Sequence, residues 1–151
     1  MTGIDFHILG EDSDTARLKA ACGLIEQAFL AGERVLVWLD DESALNSFDN
    51  LLWTYSDRAF VPHEPLADEP ARCEAPVQLS AAEPLPDSAL QGYFSTLVAL
   101  RQQASPSALG FAKVVEVIDA NPARRDAGRA RFRFYRDHGA APRHHELPAR
   151  N

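Results

Sequence analysis

Arg34-Val35-Leu36-Val37-Trp38-Leu39 is a nearly unbroken apolar run of strand length, the pattern of a β-strand covered on both faces. Ahead of it, Ile4-Asp5-Phe6-His7-Ile8-Leu9 alternates and then turns fully apolar, as a strand entering a buried sheet does. Between the two, Leu18, Ala21, Cys22, Ile25, Ala28 and Phe29 recur at helical spacing over 14–31, with Ser13 or Asp12 as cap and Gly32 as stop. Strand, helix and strand with joints this short predict a parallel crossover unit. Asp40 or Asp41 then caps a second helix ending near Tyr55, with Ala44, Leu45, Phe48, Leu52 and Tyr55 on its inner face.

Farther along, residues 60–86 carry six of the ten prolines and read as a long surface connection, with a short extended piece at 60–63 and a strand at 77–80. Residues 96–100 and the β-branched run 111–118 are strands, and 105–110 between them has room for one helical turn. Pro142, Pro148 and the lack of an apolar period make 140–151 a mobile tail. The expected fold is therefore a single α/β domain over 1–139. It has three layers, a mostly parallel central sheet and helices on both faces, Rossmann-like but without a nucleotide motif.

Length and composition agree with one ordinary globular domain: 151 residues, 46% hydrophobic and 25% charged, are enough to build a core and too apolar for disorder. The first ten residues lack a basic, apolar leader, and nowhere do about eighteen apolar residues line up for a membrane span, so a cytoplasmic location is expected. Cys22 and Cys73 form no C-x-x-C pair, and Cys22 falls on the apolar side of its helix, which makes it a buried free thiol.

Catalytic motifs are missing. The first strand-to-helix joint has the lone Gly10 followed by acidic and hydroxyl side chains, which is no phosphate cradle, and neither a G-K-S/T loop nor a G-x-S-x-G elbow occurs. Asp40, Asp41 and Glu42 are consecutive and cannot converge on a cation, so capping explains them better. His7, His63, His138, His144 and His145 lack metal-ligand spacing. No catalytic, cofactor-binding or metal-binding residue is expected. The competing reading is an enzyme or nucleotide binder that uses the carboxyl edge of the sheet, where α/β folds place ligands.

The charge distribution is more informative. Residues 122–151 hold eight arginines against three acids, a net +5, while the rest of the chain has seven basic and nineteen acidic residues, a net −12. Asn121 offers an N-cap, Pro122 suits the first helical position and Gly139 ends the helix. On the wheel Ala123, Ala127, Ala130 and Phe134 share one face, and Arg125, Arg129, Arg133 and Arg136 form a stripe roughly opposite, with Phe132 inside it. Such a stripe is commonly just a solvated face. An acidic chain of net charge −7 is nevertheless a poor non-specific nucleic-acid binder, so no strong direct DNA binding is expected. Guanidinium groups beside an aromatic ring suit a small acidic partner instead. Trp53, off the apolar stripe of its helix, and Phe60 make a second candidate partner surface, while core packing accounts for Tyr55.

Taken in order, Leu51-Leu52-Trp53, Phe60-Val61-Pro62-His63, Ala75-Pro76-Val77, the strand 111–118 and the helix 123–139 resemble the chi subunit family of bacterial DNA polymerase III. The resemblance covers about nine tenths of the chain. It implies a non-catalytic replisome accessory subunit that needs no cofactor. Such a subunit links the clamp-loader complex to single-stranded DNA-binding protein by gripping that protein's acidic C-terminal tail, which ends in Pro-Phe. Carried over onto this chain, the tail site falls on Ile118, Arg125, Arg129, Phe132 and Arg133. A second surface, for the psi subunit of the clamp loader and in some members a helicase, falls on Trp53, Phe60, Val61, Pro62 and His63.

Overall fold

The apolar runs become the middle of a sheet. In a computed structural model, which describes residues 2–147, the elements are β1 (Gly3–Ile8), α1 (Asp14–Leu30), β2 (Val35–Trp38), α2 (Glu42–Thr54), β3 (His63–Pro65), β4 (Val77–Ser80), β5 (Thr96–Ala99), β6 (Lys113–Ile118), α3 (Pro122–Asp137) and β7 (Arg143–Glu146). The seven strands pair in the order β3-β4-β2-β5-β6-β1-β7, every pair parallel. The fold is thus the expected three-layer α/β arrangement, and the crossover from β1 to β2 passes over two intervening strands.

All four residues of β2 are buried, as its composition requires. Val35 and Val37 enter one core with Ala21, Cys22 and Ile25 of α1 and Leu45, Phe48 and Leu52 of α2. Leu36 and Trp38 enter the other, with Ile4 and Phe6 of β1, Ile118 of β6 and Tyr135 of α3. Alternate residues of each strand thus feed opposite layers. The helix starts follow their capping residues. Ser13 Oγ accepts the Ala16 N–H at 3.1 Å, Asp41 Oδ1 that of Ala44 at 2.7 Å and Asn121 Oδ1 that of Arg124 at 3.1 Å, each worth about 1 kcal/mol. Single 3₁₀ turns at Pro70–Arg72, Asp87–Leu90 and Pro106–Gly110 interrupt the connections, the last where one helical turn is expected.

Three expectations are corrected. Residues 143–146 are not loose tail: they add in register to β1 as the outermost strand, so the sheet extends past the expected boundary at 139. Hydrophobic periodicity misses this strand because all four of its side chains are exposed. Residues 148–151 of the expected tail lie outside the described residues. The extended piece at 60–63 shifts to 63–65, since Pro62 has no N–H to give a ladder and Phe60 stands 70% exposed. In α3 the buried face is neither the alanine face nor the arginine stripe. It consists of Gly128, Arg131 and Tyr135, one to two turns apart, and Ala123 and Ala130 are exposed.

Candidate partner-binding pocket beside the arginine helix

α3 crosses the sheet over β6 and β1, close enough that Gly128 packs directly on Ile118. A hollow of ≈ 290 Å³ opens beside that contact, lined by Phe6, Ile8, Ile118, Gly128, Arg129, Phe132 and His144. Its lining is apolar except at the rim. Phe132 packs on Phe6 with ring centroids 5.3 Å apart, which leaves one flank of the ring toward the hollow. Arg129 stands at the mouth with its side chain 66% exposed, and its Nη1 donates to Asp126 Oδ1 at 3.1 Å. An exposed pair one helical turn apart is worth little, so this guanidinium is free to exchange partners.

Three of the five residues expected at this site, Ile118, Arg129 and Phe132, therefore share one pocket. Arg125 does not line it. Its Nε donates to the Asp119 carbonyl at 3.1 Å, anchoring α3 to the end of β6. Arg133 is exposed, and among the described residues it has no carboxylate within 4.0 Å. Phe6, Ile8, Gly128 and His144 were not anticipated. The alternation of β1 points to Phe6 and Ile8, but nothing in the sequence signals His144, because its exposed strand leaves no apolar pattern.

The second candidate surface is smaller than expected. Trp53 (43% exposed) and Phe60 (70% exposed) pack as tilted rings with centroids 5.6 Å apart and form the outer face. Val61 and His63 are buried, a correction to their place in an exposed patch. His63 Nδ1 lies 2.7 Å from the Val61 carbonyl, its Nε2 lies 2.7 Å from an Asp49 carboxylate oxygen, and the ring supports Trp53 at 4.0 Å. Pro62 is half-buried between them.

The carboxyl edge of the sheet has a cleft of ≈ 220 Å³ among Asp14, Arg17, Asp40, Arg101, Arg124 and Arg131. The protein's own carboxylates pair with Arg17, Arg124 and Arg131, and with one nitrogen of Arg101, whose Nε and Nη1 are buried without a hydrogen-bond partner among the described residues. Asp119 accepts from Arg124 Nε at 2.8 Å, from Arg124 Nη2 at 2.7 Å and from the Ser13 N–H at the start of α1 at 2.9 Å, the place a phosphate would take. Those Arg124 hydrogen bonds hold the Asp119 carboxyl below the usual carboxylate range. Deeper in, Arg131 Nε donates to Glu116 at 2.9 Å, Tyr135 Oη donates to the other Glu116 oxygen at 2.7 Å, and Arg131 Nη1 donates to the Gln102 carbonyl at 2.9 Å. Burial and the Glu116 charge push the Tyr135 hydroxyl far up, so it stays a donor. Arg101 pairs with Glu83 and lies over the Trp38 ring at 4.1 Å. Among the described residues no cluster of three or more His, Cys, Asp or Glu side chains could hold a metal ion, and no helix is long and apolar enough to cross a membrane.

Fold and sites together define a three-layer α/β domain built on an all-parallel sheet, in which ion pairs line the carboxyl-edge cleft and an apolar hollow opens beside α3. The profile of the DNA polymerase III chi subunit family, HolC, matches residues 1–143. The chain is also 37% identical over 148 residues to the DNA polymerase III subunit chi of Pseudomonas aeruginosa, across 98% of this chain and 99% of that protein. It belongs to the DNA polymerase III chi subunit family, whose members are accessory rather than catalytic subunits.

Proposed function

We propose that this chain joins the clamp-loader part of DNA polymerase III to single-stranded DNA-binding protein in the cytoplasm by taking that protein's acidic C-terminal tail into the pocket beside α3. The observation that carries the reading is an apolar hollow with an exposed, weakly paired arginine at its mouth. A terminal phenylalanine fits against Ile118 and Phe132, and its α-carboxylate replaces Asp126 on Arg129 with a two-pronged hydrogen bond. Arg133 and the less committed edge of Arg125 attract the aspartates that precede it. This is recognition of a short segment by a few anchors, and exposed charges make it weaken with salt.

The Trp53–Phe60 face serves the second contact, with a psi subunit of the clamp loader where one exists, or with a helicase. Two partners on separate patches can be held at once, as a linker requires. Co-purification tests the whole reading: single-stranded DNA-binding protein should come down with this chain and be lost when its last residues are deleted. Retention of the truncated protein would contradict the tail as the recognised element.

A further inference from the structure

We propose that Asp5 is a positioning residue for the pocket: its carboxylate clamps β7 onto β1 and thereby sets His144 as the pocket's outer wall. The inference rests on the peptide-binding reading of that pocket. β1 alternates, so Phe6 and Ile8 face the hollow while Asp5 and His7 face the α1 layer. β7 pairs in register, Asp5 with Arg143, Phe6 with His144 and His7 with His145, which puts His144 on the pocket side and its two neighbours on the Asp5 side.

Asp5 is buried, at 8% exposure, and meets both neighbours. His145 Nε2 lies 2.8 Å and Arg143 Nη2 3.2 Å from the same carboxylate oxygen. His145 also stacks on His7 at 5.3 Å. Little else holds the strand. All four of its residues are exposed and its outer edge pairs with nothing among the described residues, so apolar burial does not fasten it. The remaining ties are the ladder to β1 and the next residue, Leu147, whose N–H donates to the Ile8 carbonyl at 2.9 Å and whose side chain is half-buried. A short edge strand of this kind opens easily, and a charged clamp on its far face governs how often its near face is in place. Desolvation opposes charge on Asp5, yet the His145 hydrogen bond and the Arg143 charge hold its carboxyl below the usual range, consistent with a paired anion.

Amide hydrogen exchange and calorimetry on the full chain test the clamp, with Asp5→Asn and, from the strand side, Arg143→Gln. In Asp5→Asn, amides 143–147 should exchange faster while α1 and α2 keep their protection, and affinity for a peptide ending in Asp-Pro-Phe should fall roughly three- to tenfold. In a His144→Ala background Asp5→Asn should cost no further affinity, because its effect passes through that residue. Arg143→Gln should loosen the same amides and guards against a folding defect confined to Asp5→Asn. Unchanged exchange at 143–147 in both variants overturns the clamp, and losses that multiply with His144→Ala overturn the route through His144. A wild-type chain that ignored the peptide would sink the pocket reading alone, since the exchange data judge the clamp independently.

Discussion

Gly128 lies flush against Ile118: a β-carbon at position 128 would collide with Ile118 Cδ1 and sit 3.1 Å from its Cγ1. The missing side chain lets α3 approach β6 and keeps Ile118 on the pocket floor. Gly128→Ala sets a helix-propensity gain of up to about 1 kcal/mol against an overpacking cost of about 1 to 3 kcal/mol. The net expectation is a small loss of stability with a larger loss of peptide affinity, read by chemical denaturation and calorimetry on the same variant. A variant as tight-binding as wild type would show that the close contact does not shape the pocket.

Arg131 and Glu116 tie α3 to the sheet from inside, their side chains 8% and 0% exposed. Arg131→Ala strands a buried carboxylate and should destabilise the fold by about 3 to 5 kcal/mol. Replacing Arg131, Glu116 and Tyr135 together by Met, Leu and Phe should cost less than the single change, because neither a charge nor the Tyr135 hydroxyl that donates to Glu116 is left unpaired. Urea denaturation of the two variants makes the comparison, and equal losses would mean the three side chains are not coupled.

Asp119 gives a pH dependence whose sign is set by its depressed pKa. A folded-state value below the unfolded one, about 3.9, means the folded form binds fewer protons. Its contribution is then complete above the unfolded value and is lost as pH falls through the folded value. Thermal melts of wild type and Asp119→Asn should therefore be farthest apart near neutrality and converge below about pH 4. A constant gap down to the acid limit would assign the effect of the substitution to packing.

Much of this was readable in the chain. The runs at β2 and β6, the caps Ser13, Asp41 and Asn121, and the exposed Trp53 sit where periodicity and capping chemistry put them. The inner face of α3 was not readable, because its period is carried by a glycine, an arginine and a tyrosine rather than by aliphatic side chains. Glu116, set among the valines of β6, was the available clue that a cation had to meet it from the facing helix. β7 had no such clue, since an exposed edge strand buries nothing that would leave a pattern.

Phe60 should separate the two surfaces. Being 70% exposed, it contributes little to the fold, and Phe60→Ala should change stability by no more than about 0.5 kcal/mol. The same change should weaken capture of a psi subunit by about 2 kcal/mol or more if Phe60 is an anchor there, and leave the tail peptide's affinity unaltered. Binding titrations with each partner check it. Loss of both contacts would mean the patches are not independent.

The most direct measurement is calorimetric titration of a peptide ending in Asp-Pro-Phe into the wild-type chain and into Arg129→Ala, at low and at raised salt. The account predicts saturable binding that salt weakens, and a loss of about 1.5 to 3 kcal/mol in the variant, the worth of a hydrogen bond to a charged group, with the melting temperature unchanged. Wild-type affinity in Arg129→Ala would contradict it, because the chain end would then be held somewhere other than the mouth of this pocket.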